Sequence, residues 1–215
     1  MTSRSHTSLQ RIPFTALGVA AGIVAAAALL GACSTPARPG AQPPEGIPAP
    51  GEVLGQGTVI QIGDSAPQFC LGPVAESYPP QCSGPEIAGW DWSGVQGAET
   101  SDGVTWGGYA VQGTWDGTHF TVTSPPMWLA LYDPIRIVDP RREPENAGTS
   151  PEQRLLAIQN ELATVGALRP LTSWIENGYL FATYVYDDGD IQRHLDTAYG
   201  ADVVQVRPAL RDANP

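Results

Sequence analysis

The sequence predicts an α+β protein in which a small disulfide-bearing β barrel or sandwich precedes a ferredoxin-like module. Short β-forming runs alternate with Gly and Pro over residues 52–124, which is typical of a small all-β unit. Two helical periods then appear among further strands over residues 135–211, in the order β-α-β-β-α-β. In this split βαβ arrangement both helices pack on one face of the sheet. Residues 125–134 are the predicted linker.

The strongest hairpin signal in the β unit is Asp116-Gly117, because this dipeptide favours two-residue turns. Alternating runs at 108–115 and 118–123 flank it, and residues 57–62 predict an earlier strand. We therefore expect the two flanking runs to pair across a tight turn.

This turn sets the register of the predicted hairpin. Val111 then faces Val122, and Phe120 lies opposite Gly113, where an aromatic ring can cover bare backbone. His119 points to the other face, so we expect it at the surface.

Two of the three cysteines, Cys70 and Cys82, lie in the β unit. An even pair in an exported chain predicts a disulfide, worth about 3 kcal/mol for so short a loop. The alternative is a zinc site shared with His119, although the spacing is not that of a zinc motif.

The β unit also contains four tryptophans, Trp90, Trp92, Trp106 and Trp115. Exposed tryptophans can stack on sugar rings, but each also buries a large area when it joins a core. In a unit this small we expect core positions.

The first predicted helix of the second module has a complete start signal. Ser150 is its N-cap, Pro151 occupies the first turn and Gln153 takes the capping-box position. Apolar residues follow at helical spacing: Leu155, Ile158, Leu162 and Val165. A short strand at 135–138 precedes this helix.

A second hairpin is predicted around Asn177-Gly178, between runs at 171–176 and 179–186. Asp187, Asp188 and Asp190 then cap a second helix, which carries Ile191, Leu195 and Ala198 and ends at Gly200. The final predicted strand is 203–206. The aspartates lack the ligand spacing of a calcium loop.

The hairpin register puts Trp174, Tyr179 and Phe181 on the sheet face that the helices leave uncovered. Two interpretations follow. The aromatic face either binds a partner or packs against the β unit and joins the two modules; large exposed apolar patches are rare on monomers, which favours the second.

The N-terminus predicts export. Arg4 and Arg11 precede an uncharged run over 12–30. This order, basic residues followed by an apolar run, is typical of a signal peptide. The tetrapeptide Leu30-Gly31-Ala32-Cys33 resembles the lipobox of bacterial lipoprotein precursors. The resemblance implies cleavage between Ala32 and Cys33, a diacylglyceryl group on the Cys33 thiol and acylation of its new amino group.

Residues 1–32 are thus the predicted signal peptide, and residues 33–51 form a Pro- and Gly-rich tether. Several acyl chains give stable attachment where a single one does not. The expected location is the extracytoplasmic face of the cell membrane. The alternative is an uncleaved membrane-spanning helix.

The formal charge of −11 becomes −13 once Arg4 and Arg11 are removed, and the chain contains no Lys. An acidic chain without basic clusters argues against binding to nucleic acid or anionic headgroups. We find no phosphate loop, dinucleotide motif or Gly-x-Ser-x-Gly elbow, and therefore expect no cofactor, no metal and no enzymatic activity.

The cysteine-flanking segments, together with Gly-Thr-Trp-Asp-Gly at 113–117, resemble uncharacterised secreted lipoproteins of high-GC Gram-positive bacteria. That resemblance implies no particular activity. We expect a lipid-anchored binding or assembly module whose partners are envelope proteins. One alternative is a protease inhibitor or prodomain-like regulator, since residues 199–204 resemble prosegments of secreted serine proteases. Another is a cell-wall hydrolase with a carboxylate pair.

Overall fold

The computed structural model of the protein describes residues 46–133, 138–164, 166 and 169–213. The predicted signal peptide and most of the tether lie outside the described residues, and so do Ala32, Cys33 and all but the last residue of the predicted strand at 135–138. In the described part of the chain no helix has the length and apolar character needed to cross a membrane.

The larger of two sheets has eight strands and curls into a half-barrel. Its strands are β1 (Glu52–Ile62), β2 (Gln68–Cys70), β3 (Ile87–Ala88), β4 (Glu99–Ser101), β5 (Val104–Trp115), β6 (Phe120–Val122), β7 (Met127–Trp128) and β11 (Leu210–Asp212). β1 and β5 are antiparallel partners over the whole of β1, and the other strands are added to this long pair. The predicted strand at 57–62 is therefore the second half of a longer one.

Backbone hydrogen bonds draw the two edges of this sheet toward each other. β2 pairs with β1, and β3 pairs in parallel with β6 at the far side. Between β2 and β3, Phe69 N donates to Pro85 O at 2.8 Å and Ile87 N donates to Pro67 O at 3.0 Å. These bonds link β2, on the β1 side of the sheet, to β3, at its other edge, and are consistent with the curl of the sheet.

The inner face of the half-barrel holds an aromatic core that packs on bare backbone. Phe69, Tyr109 and Phe120 are fully buried there. A Cβ added to Gly113 would lie 2.6 Å from the Phe120 ring, and one added to Gly57 would lie 2.3 Å from Cys70 O. Glycine at both positions lets the rings and strands approach closely.

The hairpin that joins β5 to β6 confirms one part of its prediction and corrects another. Phe120 does cover Gly113. However, Gly113 pairs with Val122 and Trp115 pairs with Phe120, so the loop has four residues and not two. The predicted pairing of Val111 with Val122 is wrong by two positions.

The smaller sheet contains three strands backed by two helices. The strands are β8 (Thr172–Glu176), β9 (Tyr179–Tyr184) and β10 (Val204–Pro208), and the helices are α1 (Glu152–Thr164) and α2 (Asp190–Tyr199). One core joins both helices to one sheet face, and its fully buried members include Leu155, Leu180 and Ala182. We call these elements the helix-backed layer. Both predicted helices are confirmed.

The ferredoxin-like arrangement is not confirmed. In a split βαβ unit a further strand lies between the two parallel strands. Here β10 hydrogen-bonds directly to β9 in parallel, from Val204–Leu180 to Pro208–Tyr184, with no strand between them. What the structure supports is the broader α+β class, with most of the strands in the half-barrel.

The end of the chain ties the helix-backed layer to the half-barrel. β11 pairs with β1, with Leu210 opposite Gly55, although two of its three residues lie within the predicted second module. Ala209 N donates to Tyr184 O, and Leu210 N donates to Val185 O, both at 2.8 Å. Tyr186 joins the half-barrel core. The two sheets therefore share strand connections and core residues.

Candidate binding surfaces

The predicted register of the second hairpin is confirmed, and it creates the expected aromatic face. Glu176 pairs with Tyr179, and Trp174 pairs with Phe181. The Trp174 and Phe181 rings stack with their centroids 5.2 Å apart and their planes 15° apart. Asn177 and Gly178 have φ values of 50° and 79°, as a tight turn of this type requires.

This aromatic face is nevertheless covered by the protein's own chain. A segment over residues 139–148, which we call the strap, lies along it. Tyr179 Oη donates to Asn146 O at 2.9 Å. Asn177 Nδ2 donates to the carbonyls of Arg141 and Glu143 at 2.8 and 2.7 Å. A Cβ on Gly148 would lie only 2.4 Å from Gly178 O, so the two backbones touch.

Charged groups hold the strap at both ends of the aromatic pair. Arg142 Nε donates to Glu176 Oε2 at 2.9 Å, and the same oxygen accepts from Trp174 Nε1 at 3.0 Å. The Trp174 hydrogen bond, followed by Arg142, lowers the pKa of Glu176 from its ordinary value. At the other end Arg207 pairs with Asp139, whose side chain is 8% exposed.

Arg207 also covers Phe181 from above. Its guanidinium carbon lies 5.7 Å from the centroid of the ring, a cation–π geometry. With Trp174 stacked on it and Arg207 over it, Phe181 is 0% exposed. The prediction that this face is open to a partner is therefore wrong for Phe181. In the described residues it is the strap that covers this face, whereas the favoured interpretation expects the β unit there.

A different apolar surface is exposed, on the outer face of the half-barrel. Ile60 and Trp106 lie opposite each other there, and the Cys70–Cys82 disulfide packs beside them. Tyr78 meets Trp106 edge-on with the ring centroids 5.3 Å apart. Trp106 is 8% exposed, whereas Tyr78 is 72% exposed and Ile62 is 63% exposed. We call Ile62, Tyr78 and Trp106 the Tyr78 surface.

Tyr78 lies in a loop whose conformation is restrained by a disulfide and by internal hydrogen bonds. The disulfide confirms the predicted pairing and closes the loop at its base. Within the loop Ala75 N donates to Gln81 O at 2.8 Å, and Ser77 Oγ donates to Pro79 O at 2.9 Å. Residues 73–78 are all exposed. The loop thus presents an apolar ring in a conformation that its own bonds maintain.

The four tryptophans of the β unit divide into two pairs. Trp106 and Trp115 are buried, as predicted, and Trp115 Nε1 donates to Ile47 O at 2.9 Å. Trp90 and Trp92 are half-buried and pack edge-on against each other and against Tyr109. None of the four is exposed.

Two polar atoms in this aromatic group, Trp90 Nε1 and Tyr109 Oη, are buried without a hydrogen bond to any described residue. Burial raises the pKa of the Tyr109 hydroxyl. Each atom sits within a packed group of rings, and both are therefore part of the half-barrel core.

A shallow cleft of about 410 Å³ opens beside this group. Its lining is mostly glycine, valine and proline, with Asp91 as its one carboxylate. Asp91 accepts hydrogen bonds from the backbone N and the hydroxyl of Ser93, which lower its pKa. A facing acid of the kind that sugar hydrolysis uses does not line this cleft.

The remaining candidate ligands have structural partners. The two cysteine sulfurs are bonded to each other, so the alternative of a zinc site is wrong. His119 lies at the surface beside Asp116. Asp187 Oδ1 accepts from Ile191 N at 2.9 Å and Asp188 Oδ1 accepts from Asp190 N at 3.0 Å, as helix caps do. Among the described residues no cluster of His, Cys, Asp or Glu could hold a metal.

No protein-family model, curated protein sequence or solved structure matches the chain. The exposed and covered surfaces of the protein are therefore what bears on its function. The Tyr78 surface is the one that sequence reasoning missed. Its signal is Tyr78-Pro79-Pro80 between two paired cysteines, since prolines keep a closed loop out of a strand and leave its large ring at the surface.

Proposed function

We propose that the protein is an exported lipoprotein, anchored through Cys33 at the extracytoplasmic face of the cell membrane, that binds another envelope protein without catalysing a reaction. The binding role is carried by one observation, the 72% exposure of Tyr78 on a stapled loop. A loop already held in its bound shape loses little conformational entropy on association. Exposed tyrosines are also frequent anchors of protein interfaces.

The anchoring role is supported by the resemblance of Leu30-Gly31-Ala32-Cys33 to a lipobox and by the disulfide. Disulfides form and persist outside the reducing cytoplasm, so the Cys70–Cys82 bond is consistent with export. The test is a Cys33→Ala variant in cells fed with labelled palmitate. Loss of the label and failure of cleavage support the anchor, whereas an unchanged labelled band contradicts it.

The binding role is tested by placing a photo-crosslinking amino acid at position 78 in intact cells. The matched control is position 156 on α1, because Leu156 is also an exposed apolar residue, at 44%. A discrete adduct from position 78 that is missing from position 156 supports the proposal. Identical adducts from both positions, or none from either, would remove the support.

A protease inhibitor is the second candidate, and the same loop favours it. Inhibitors present an exposed segment held in one conformation, and residues 73–78 meet that description. The measurement is inhibition of purified secreted serine proteases by the mature chain, with and without reduction of the disulfide. Stoichiometric inhibition that is lost on reduction would favour this candidate over an assembly role.

A further inference from the structure

We propose that the partner segment bound by the Tyr78 surface is basic, an arginine- or lysine-rich stretch of protein. This inference rests on the proposed function, and it assigns the chemistry of the partner. Three observations lead to it: the charge of the half-barrel, the positions of its acids around Tyr78, and the exposed aromatic ring among them.

Apart from Arg211 on β11, the half-barrel has no basic side chain other than His119 to neutralise its acids. Residues 46–133 contain no Lys or Arg but nine carboxylates: Glu52, Asp64, Glu76, Glu86, Asp91, Glu99, Asp102, Asp116 and Asp133. Among the ion pairs of the described residues, only His119–Asp116 belongs to this region. A surface of one sign attracts partners of the opposite sign and repels anionic lipid headgroups and nucleic acid.

Four of these acids lie on the loop, strand and turns that carry or adjoin the residues of the Tyr78 surface. Glu76 lies in the stapled loop, two residues from Tyr78. Glu99 is the β4 partner of Trp106, so the two side chains share the outer face. Asp64 and Asp102 occupy two neighbouring turns, which Gly63 N joins to Gly103 O at 2.8 Å. None of the four forms an ion pair with an arginine in the described part of the chain.

An arginine or lysine side chain matches this mixture of ring and carboxylate. Its long aliphatic portion can lie against Ile62 while its charge meets the acids, and the exposed Tyr78 ring adds a cation–π contact. An uncharged or acidic segment would leave the four carboxylates without a counter-charge. The shared chemistry of ring and acids therefore selects a basic segment.

The test measures binding of the full mature chain to a short fluorescein-labelled peptide of alternating arginine and glycine. The same peptide with glutamate in place of arginine is the probe control. We expect Tyr78→Ala to weaken binding about 10-fold, and Glu76→Gln and Glu99→Gln to weaken it about 3-fold each. Glu145→Gln is the matched variant, because Glu145 is an exposed acid in the strap, away from this surface.

Binding should also fall as salt is raised, since the Debye length shortens from about 10 Å at 0.1 M. Equal losses in Glu76→Gln and Glu145→Gln would overturn the inference, because the peptide would then be responding to net charge alone. Concentration-dependent self-association that blocks the peptide would also overturn it, in favour of a second copy of this chain as the occupant.

The photo-crosslinking result separates this inference from the proposed function. If position 78 gives a specific adduct whose crosslinked segment is neutral or acidic, the binding role stands and the basic partner is wrong. If it gives no specific adduct, the binding role itself fails, and the inference fails with it.

Discussion

The half-barrel and the helix-backed layer differ in how their charged side chains are paired. In the helix-backed layer arginines are used internally: Arg207 pairs with Asp139 and Arg142 pairs with Glu176, and both hold the strap on an aromatic face. The half-barrel has one arginine, Arg211 on β11, and its acids around Tyr78 face solvent. The aromatic face around Trp174 and Phe181 is thus neutralised and closed by the protein's own chain, while the Tyr78 surface is acidic and open.

The largest effect should come from removing a fully buried ring or side chain in either region. We expect Phe120→Ala in the half-barrel and Leu180→Ala in the helix-backed layer to cost about 3–5 and 2–5 kcal/mol of unfolding free energy. Because β11 and Tyr186 tie the regions together, both variants should shift one common urea transition.

Thr121→Ala, exposed and next to Phe120, is the control and should shift the midpoint little. Two separate transitions, with each variant moving a different one, would show that the two regions unfold independently. The half-barrel and the helix-backed layer would then be separate domains.

Loss of the disulfide should affect the half-barrel next most strongly. The bridged residues are 12 apart, and closing a loop of that size is worth about 3 kcal/mol in the chain-entropy model. We expect the Cys70→Ala, Cys82→Ala double variant to be less stable by about that amount in chemical denaturation. Equal stability in the oxidised protein and the variant would contradict this.

Gly148→Ala should loosen the strap without damaging the half-barrel. The new methyl would lie 2.4 Å from Gly178 O, and backbone must move to admit it, at a cost of about 1–3 kcal/mol. The expected readout is a red shift and easier quenching of Trp174 fluorescence. Gly51→Ala is the matched control, because nothing lies within 4 Å of its added Cβ.

Tyr78→Ala should change stability by about 1 kcal/mol or less, although it weakens peptide binding. The ring is mostly exposed, and among the described residues its one aromatic contact is the edge-on pair with Trp106. Thermal unfolding of the variant beside the parent protein measures this difference. A loss comparable to that of Phe120→Ala would mean that Tyr78 serves folding and not binding.

The smallest effect should be the acid sensitivity of the strap. The pKa of Glu176 is lowered in the folded protein. The contribution of the Glu176 carboxylate to stability is therefore complete above the ordinary carboxyl pKa of about 4.3 and is lost as pH falls through the lowered value. The Trp174 indole N–H resonance, followed by NMR from pH 6 to pH 2, should shift in this window. Glu176→Gln should abolish the shift, and Glu145→Gln should retain it.

Local signals predicted the elements that need only nearby residues. The Asn177-Gly178 hairpin has the predicted register because both residues adopt the positive φ that this turn requires. The two helices likewise follow from apolar spacing, and the Asp187 carboxylate accepts from Ile191 N in the first turn of α2.

The predicted two-residue turn at Asp116-Gly117 is wrong because local hydrogen bonds and contacts with distant residues both favour a longer loop. Asp116 Oδ1 accepts hydrogen bonds from Thr118 N and His119 N, which stabilises a longer loop. Gly46 packs directly on Gly117, and Ile47 O accepts the Trp115 indole hydrogen bond. The contacts of Gly46 and Ile47 have no signature in the hairpin's own residues.

The sequence by itself determined the α+β class, both helices, the disulfide pairing and the composition of the aromatic face around Trp174 and Phe181. Only the tertiary structure decided which aromatic surface is covered. Coverage depends on partners far apart in the chain: Arg207 and Asp139 are 68 residues apart, and they close the face over Phe181. No such partner reaches Tyr78 from the described residues, so its ring remains at the surface.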